Sequence, residues 1–124
     1  MSQFASTIQQ APPPCFRATV HGTVFCDRSK QVDRLEEGEE VLLLPDPPGQ
    51  DDPAVWVHHR EGDLIGHLPP EIGSWLVPWI RRGGCATAHT LRVSGRDVPS
   101  WRRLLIEVQC SGAGHANAAG GRHQ

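Results

Sequence analysis

Apolar side chains recur along this chain at two different periods, and the two periods mark out its elements. Phe16–Phe25 reads as a first strand, with Gly22 marking a bulge. Glu40–Leu44 is a second strand. Ala54–His59 is a third, with Val55 and Val57 on one face and Ala54 and Trp56 on the other. Glu61-Gly62-Asp63 makes a tight turn into a fourth strand, Leu64–Leu68. Then the period changes. Ile72, Trp75, Leu76, Trp79 and Ile80 fall at i, i+3, i+4, i+7 and i+8, the apolar stripe of one helix face. Pro69 and Pro70 suit its first turn, and Gly83-Gly84 ends it. Pro78 removes a backbone donor inside the stripe, so the pattern predicts a kink or two short helices.

Cys85–Val93 and Trp101–Cys110 return to alternation and read as two long strands. In the last one, Leu104, Ile106, Val108 and Cys110 face the core, with Arg103, Glu107 and Gln109 outward. Asp27–Gly38 is a charged connection with room for a short helical turn. Five or six strands, with one kinked helix between the fourth and fifth, predict a mainly β protein: a small barrel of the OB or SH3-like type.

Composition sharpens the boundaries. Eleven Pro and thirteen Gly in 124 residues fit a turn-rich β protein, and the length fits one domain with a modest core. Residues 1–14 are polar and end in three prolines; 111–124 are mostly Gly, Ala and His. The second stretch carries too little apolar surface to order itself, and both are expected to be flexible tails around a folded unit over 15–110. The formal charge of −2 makes the whole chain no magnet for nucleic acid. Its distribution is uneven. Nine acidic and three basic residues lie between Asp27 and Pro53, whereas seven Arg and four acids lie between Arg60 and Arg103. No apolar run reaches membrane-spanning length, and no export signal opens the chain, so a cytoplasmic protein with reduced thiols at Cys15, Cys26, Cys85 and Cys110 is expected.

No reaction chemistry emerges from the motifs. The chain has no phosphate-binding G-x-x-x-x-G-K-[ST] loop and no nucleophile elbow. His58 and His59, adjacent on a strand, point to opposite faces and cannot chelate together simply; no Cys or His pair has the spacing of a structural zinc site. Asp46, Asp51 and Asp52 are the acidic residues of a nuclease-like metal cluster or, on the more ordinary reading, of a turn. The expectation is therefore no enzyme, no metal and no cofactor.

Residues 38–69 hold an ordered set of small signatures. Gly38-Glu39 precedes the second strand, and Asp46-Pro47 opens a Pro/Asp-rich loop. Asp51-Asp52-Pro53-Ala54-Val55 closes that loop, Gly62 makes the turn, and Gly66-His67-Leu68-Pro69 leads to the helix. This order and spacing resembles the HIRAN domain, a small β-barrel module of DNA repair and chromatin-remodelling proteins; the similarity covers roughly Phe16 to Val93. The resemblance implies a non-catalytic module for single-stranded DNA or exposed 3′ DNA ends, working with a helicase or nuclease partner and without a membrane.

By position, the resemblance places the candidate pocket at Val24, Phe25 and Cys26, at Gln50 and Asp51, and at Gly66 and His67. Phe25 would stack a base, His67 would donate a hydrogen bond while neutral, and Asp51 would accept one from a free 3′ hydroxyl. Three positions depart from the family pattern: Gln50 stands where the loop Tyr is usual, Pro53 where an Asn is, and Pro70 where a cation is. A stacked aromatic contributes about 1–3 kcal/mol per base. Trp56 and Trp101 are the candidate substitute surfaces, and Arg60, Arg81, Arg82, Arg102 and Arg103 the substitute charges, with Arg102 expected on phosphate. A protein-interaction barrel using the same groove for a peptide is the alternative from a different class.

Overall fold

The structure is a computed structural model describing residues 13–112. The expected tails over 1–14 and 111–124 lie outside those residues, except for the innermost two positions of each. Six strands follow in chain order: β1 (Cys15–Thr19), β2 (Glu40–Pro45), β3 (Val55–His59), β4 (Leu64–His67), β5 (Cys85–Val93) and β6 (Leu104–Ser111). A short helix α1 (Arg28–Asp33) precedes β2, a longer helix α2 (Pro70–Arg81) precedes β5, and a 3-10 turn over Ser100–Arg102 leads into β6. All strand pairs are antiparallel, in the order β1-β6-β5-β2-β3-β4.

The two end strands of this sheet meet. His21 N–H donates to the His67 carbonyl at 2.8 Å and His67 N–H to the His21 carbonyl at 2.9 Å, an isolated bridge just past β1. Register shifts at Val57/His58 and Thr90/Arg92 help the sheet curl that far, because an extra residue in one strand bends it and raises its twist. The outcome is an OB-like half-barrel closed by a single seam, as the alternation predicts.

The core is aliphatic. Val41, Val55, Val57, Ile65, Leu104, Ile106 and Val108 fill the inside from the sheet, each contributing roughly 1.5–3 kcal/mol on burial. Helix α2 closes one end, with Leu76 and Val77 fully buried and Trp75 and Trp79 half-buried. Trp75 meets Phe16 of β1 edge-on at 5.3 Å between ring centres. The helix stops as expected: Gly83 N–H reaches the Ile80 carbonyl and Gly84 N–H the Trp79 carbonyl, each at 3.0 Å.

Three expectations are corrected and one is narrowed. Of the kink or two short helices expected at Pro78, the two helices are excluded, since α2 runs unbroken from Pro70 to Arg81; Pro78 and Ser74 both face solvent, where water can satisfy the carbonyl that the proline leaves without a donor. The first strand ends at Thr19 rather than Phe25, since after the seam the chain turns through Gly22 (φ 75°) into α1. The last strand starts at Leu104 rather than Trp101, because Ser100–Arg102 form a turn of their own. Arg103 does not point outward. It is only 5% exposed and donates to Asp33 Oδ1 at 2.7 Å and to the Ser94 carbonyl at 3.1 Å. A long side chain carrying its own hydrogen-bond donors can thus replace an apolar residue at the mouth of a small core.

Candidate nucleic-acid interface

The loop between β2 and β3 is organised by Asp46. Its Oδ2 accepts the Ala54 N–H at 2.9 Å and its Oδ1 accepts the Trp56 indole N–H at 2.7 Å. These two donors, the backbone one foremost, hold its carboxyl below the usual range. Arg81 of α2 donates to the Asp46 and Pro47 carbonyls at 2.9 Å each, tying the same loop to the helix. Trp56 alternates with the buried Val55 and Val57, so β3 turns its indole outward and Asp46 fixes how it stands.

Beside it lies the seam. Gly66 is buried there, and a Cβ at that position would sit 2.3 Å from the His21 carbonyl oxygen and 2.7 Å from Val20 Cγ1. Only a residue without a side chain lets the two end strands approach this closely. The next residue, His67, turns its ring outward. It stands edge-on to Trp56 at 5.6 Å and faces the His21 ring at 6.1 Å, and His21 in turn lies 6.4 Å from Trp101. The Arg28 guanidinium lies 5.8 Å from the Trp56 indole centre and 5.7 Å from the ring of Phe25. Arg102 covers Trp101 at 5.9 Å. Rings and guanidinium groups therefore form one row across the seam, from Phe25 to Arg102.

A groove of ≈ 720 Å³ opens beside Trp56 and His67 of this row, lined further by Asp51, Asp52, Pro53, Ala54, Leu68, Pro70 and Ser74. Its walls combine an indole and prolines with two carboxylates. His67 Nδ1 lies 3.0 Å from the Leu68 carbonyl, which can only accept, so the neutral ring carries its proton on Nδ1 and offers Nε2 as an acceptor. In that tautomer its one N–H already has a partner, and Nε2 is the ring atom left for a ligand.

Each candidate from the sequence now has a place. Asp51 and His67 line the groove, and Gly66 lies buried at the seam behind it. Phe25 is 59% exposed, outside the groove lining and joined to Trp56 through Arg28. Gln50 is an exposed loop residue outside the lining, and Val24 and Cys26 are exposed in the turn beside Phe25. Arg102 lies exposed at the far end of the row, on Trp101, which is 51% exposed. Of the two Asp readings, Asp46 follows the turn one; among the described residues, no three Cys, His, Asp or Glu side chains stand close enough to hold a metal.

Three contributors were missed. His21 is tucked at the seam, where its Nε2 lies 3.3 Å from Thr19 Oγ1. Arg28 lies in the acidic half of the chain and meets Trp56 only through folding. Asp46 acts on Trp56 across the loop. The outward alternation of Trp56 was the one signal available beforehand.

A small antiparallel half-barrel with an aromatic groove across its seam belongs to the OB-like class of ligand-binding barrels. The chain belongs to the HIRAN domain family, a family of DNA-binding domains, whose family model matches residues 14–111. Among solved structures it is similar to the crystal structure of the HIRAN domain of human HLTF, with a TM-score of 0.57 and 17% identity over 84% of this chain and 81% of that one. No curated protein matches the chain.

Proposed function

We propose that this chain is a non-catalytic module that binds single-stranded DNA and prefers a free 3′ end. The row of rings at the seam carries the reading. Unstacked bases need flat apolar faces, and Trp56, Phe25 and Trp101 offer them within one surface. The charges around the row give the strand a direction. Asp51 and Asp52 at one wall accept hydrogen bonds from a terminal hydroxyl and repel a terminal phosphate, whereas Arg28 stands between Phe25 and Trp56 and Arg102 stands on Trp101. Gly66 and Gln50 take the roles of backbone spacer and rim residue, His67 that of an acceptor for a sugar or base donor, and Arg102 that of an outlying phosphate contact. The proposed setting is a cytoplasmic DNA-processing assembly with a helicase or nuclease as partner. Among the described residues, no helix is long and apolar enough to cross a membrane.

One feature favours a second reading, a groove for a peptide. Its lining holds two carboxylates and no arginine, and the apolar Val24 and Phe25 are exposed in the turn after the seam. A fluorescence titration of a labelled single strand, with the 3′ end free or phosphorylated, decides between them. DNA binding requires that affinity fall with salt by about 0.7 log unit per phosphate contact, per log unit of salt, and that the 3′ phosphate weaken it. Absence of salt-dependent binding to either strand transfers the groove to the peptide reading.

A further inference from the structure

Most arginines of this barrel already hold a partner. Arg34 reaches Glu61 and Asp63, Arg96 and Arg103 share Asp33, and Arg81 donates to loop carbonyls. Arg17 and Arg60 stand 3.9 Å from Glu107 and Glu39. Arg82, Arg92 and Arg102, all exposed, and Arg28 pair with no carboxylate among the described residues, and of these only Arg28 stands against Trp56; its one hydrogen bond there runs from Nη1 to the Gly22 carbonyl at 2.9 Å. A guanidinium has five N–H donors, so four are left. It is half-buried and held between Phe25 and Trp56, which fixes its plane before any ligand arrives. The site of a Cβ on Gly22 would lie 3.0 Å from His67 Nε2 and 3.3 Å from Arg28 Nη1, so both groups border one small space that glycine leaves open.

We propose that Arg28 is the phosphate-binding cation of this groove, gripping the phosphodiester on the 5′ side of a base stacked on Trp56. The inference rests on the single-strand reading above and adds to it a residue and a register. The groove lining itself is acidic, so a bound strand needs its backbone charge met just outside the lining, beside the stacking face. Arg28 is the guanidinium at that spot. A fixed fork with free N–H groups suits a phosphate, which accepts two parallel hydrogen bonds from it. Arg28 is the first residue of α1, so contact with the ligand would bind the helix more firmly to the seam.

The test uses the full chain and an oligothymidine of about ten nucleotides with a free 3′ hydroxyl, made with one neutral methylphosphonate linkage at each position in turn. For the parent, a neutral linkage at one position near the 3′ end should weaken binding about tenfold, the scale of a charge-assisted hydrogen bond. Arg28→Gln should weaken the unmodified strand by a similar factor and no longer respond to that one linkage. Full retention of the linkage effect in Arg28→Gln assigns Arg28 a structural role through Gly22 and overturns the proposal. Should Arg28→Gln fail to fold, the parent scan decides alone: equal losses at every linkage, or none, refute it. If the parent binds no DNA at all, the single-strand reading itself falls, and this inference with it.

Discussion

Closing a half-barrel at one bridge makes a single glycine decisive. Gly66→Ala puts a methyl group 2.3 Å from a backbone oxygen and 2.7 Å from Val20 Cγ1, and neither neighbour is the free end of a flexible side chain. The strands must part. Overpacking of a tight site costs about 1–3 kcal/mol, and the His21–His67 pair contributes two hydrogen bonds worth about 0.5–1.5 kcal/mol each. The combined loss is roughly 2–6 kcal/mol, against a total stability of about 5–15 kcal/mol for a domain. In a thermal melt followed by circular dichroism, each kcal/mol lowers Tm by about 4–8 °C in a domain of this size. Gly66→Ala should therefore melt at least ~8 °C below the parent and lose the His21–His67 ring pair from the site. Gly95→Ala is the matched control, since its methyl meets only the end of the Asp97 side chain; it should change Tm by no more than about 3 °C. A Gly66→Ala variant that melts with the parent would show that the seam tolerates separation, and the argument from close approach would be wrong.

Three further outcomes follow from the same geometry. Phe25→Ala should leave Tm unchanged, because the ring is exposed, yet weaken single-strand binding by about 1–3 kcal/mol; unaltered binding in a titration would remove Phe25 from the site. Trp56→Phe keeps a stacking face but loses the bond to Asp46, so stability should fall by about 1 kcal/mol in a urea melt, with binding changed less than by Trp56→Ala. Asp46, Asp33 and Glu61 all have carboxyls held below their ordinary range, by the Ala54 and Trp56 donors, by Arg96 and Arg103, and by Arg34 respectively. A depressed carboxyl stabilises the fold fully above its unfolded value, near 4, and stops doing so as pH falls through the lower folded value. Stability measured from pH 6 downward should hold to about pH 4–5 and then drop; Asp46→Asn should flatten that drop.

Local pattern settled much of this protein. Period-two alternation placed the inner faces of β3 and β6, with Val55, Val57, Leu104, Ile106 and Val108 all buried, because burial of a sheet face selects every second residue whatever lies above it. The 3.6 period of Ile72 to Ile80 placed the closing helix for the same reason. Alternation also sent Trp56 outward. What it could not supply was any contact between parts of the chain with no local reason to meet. The bridge of His21 to His67, the Arg28 guanidinium between Phe25 and Trp56, and the hold of Asp46 on the indole each join segments across the seam or the loop. Arg103 escaped for a related reason: its position said outward, and only the approach of Asp33 from α1 made an inward guanidinium favourable. One-dimensional periodicity reports which side of an element is buried, while the partners on the open side depend on how far the sheet curls before its ends touch.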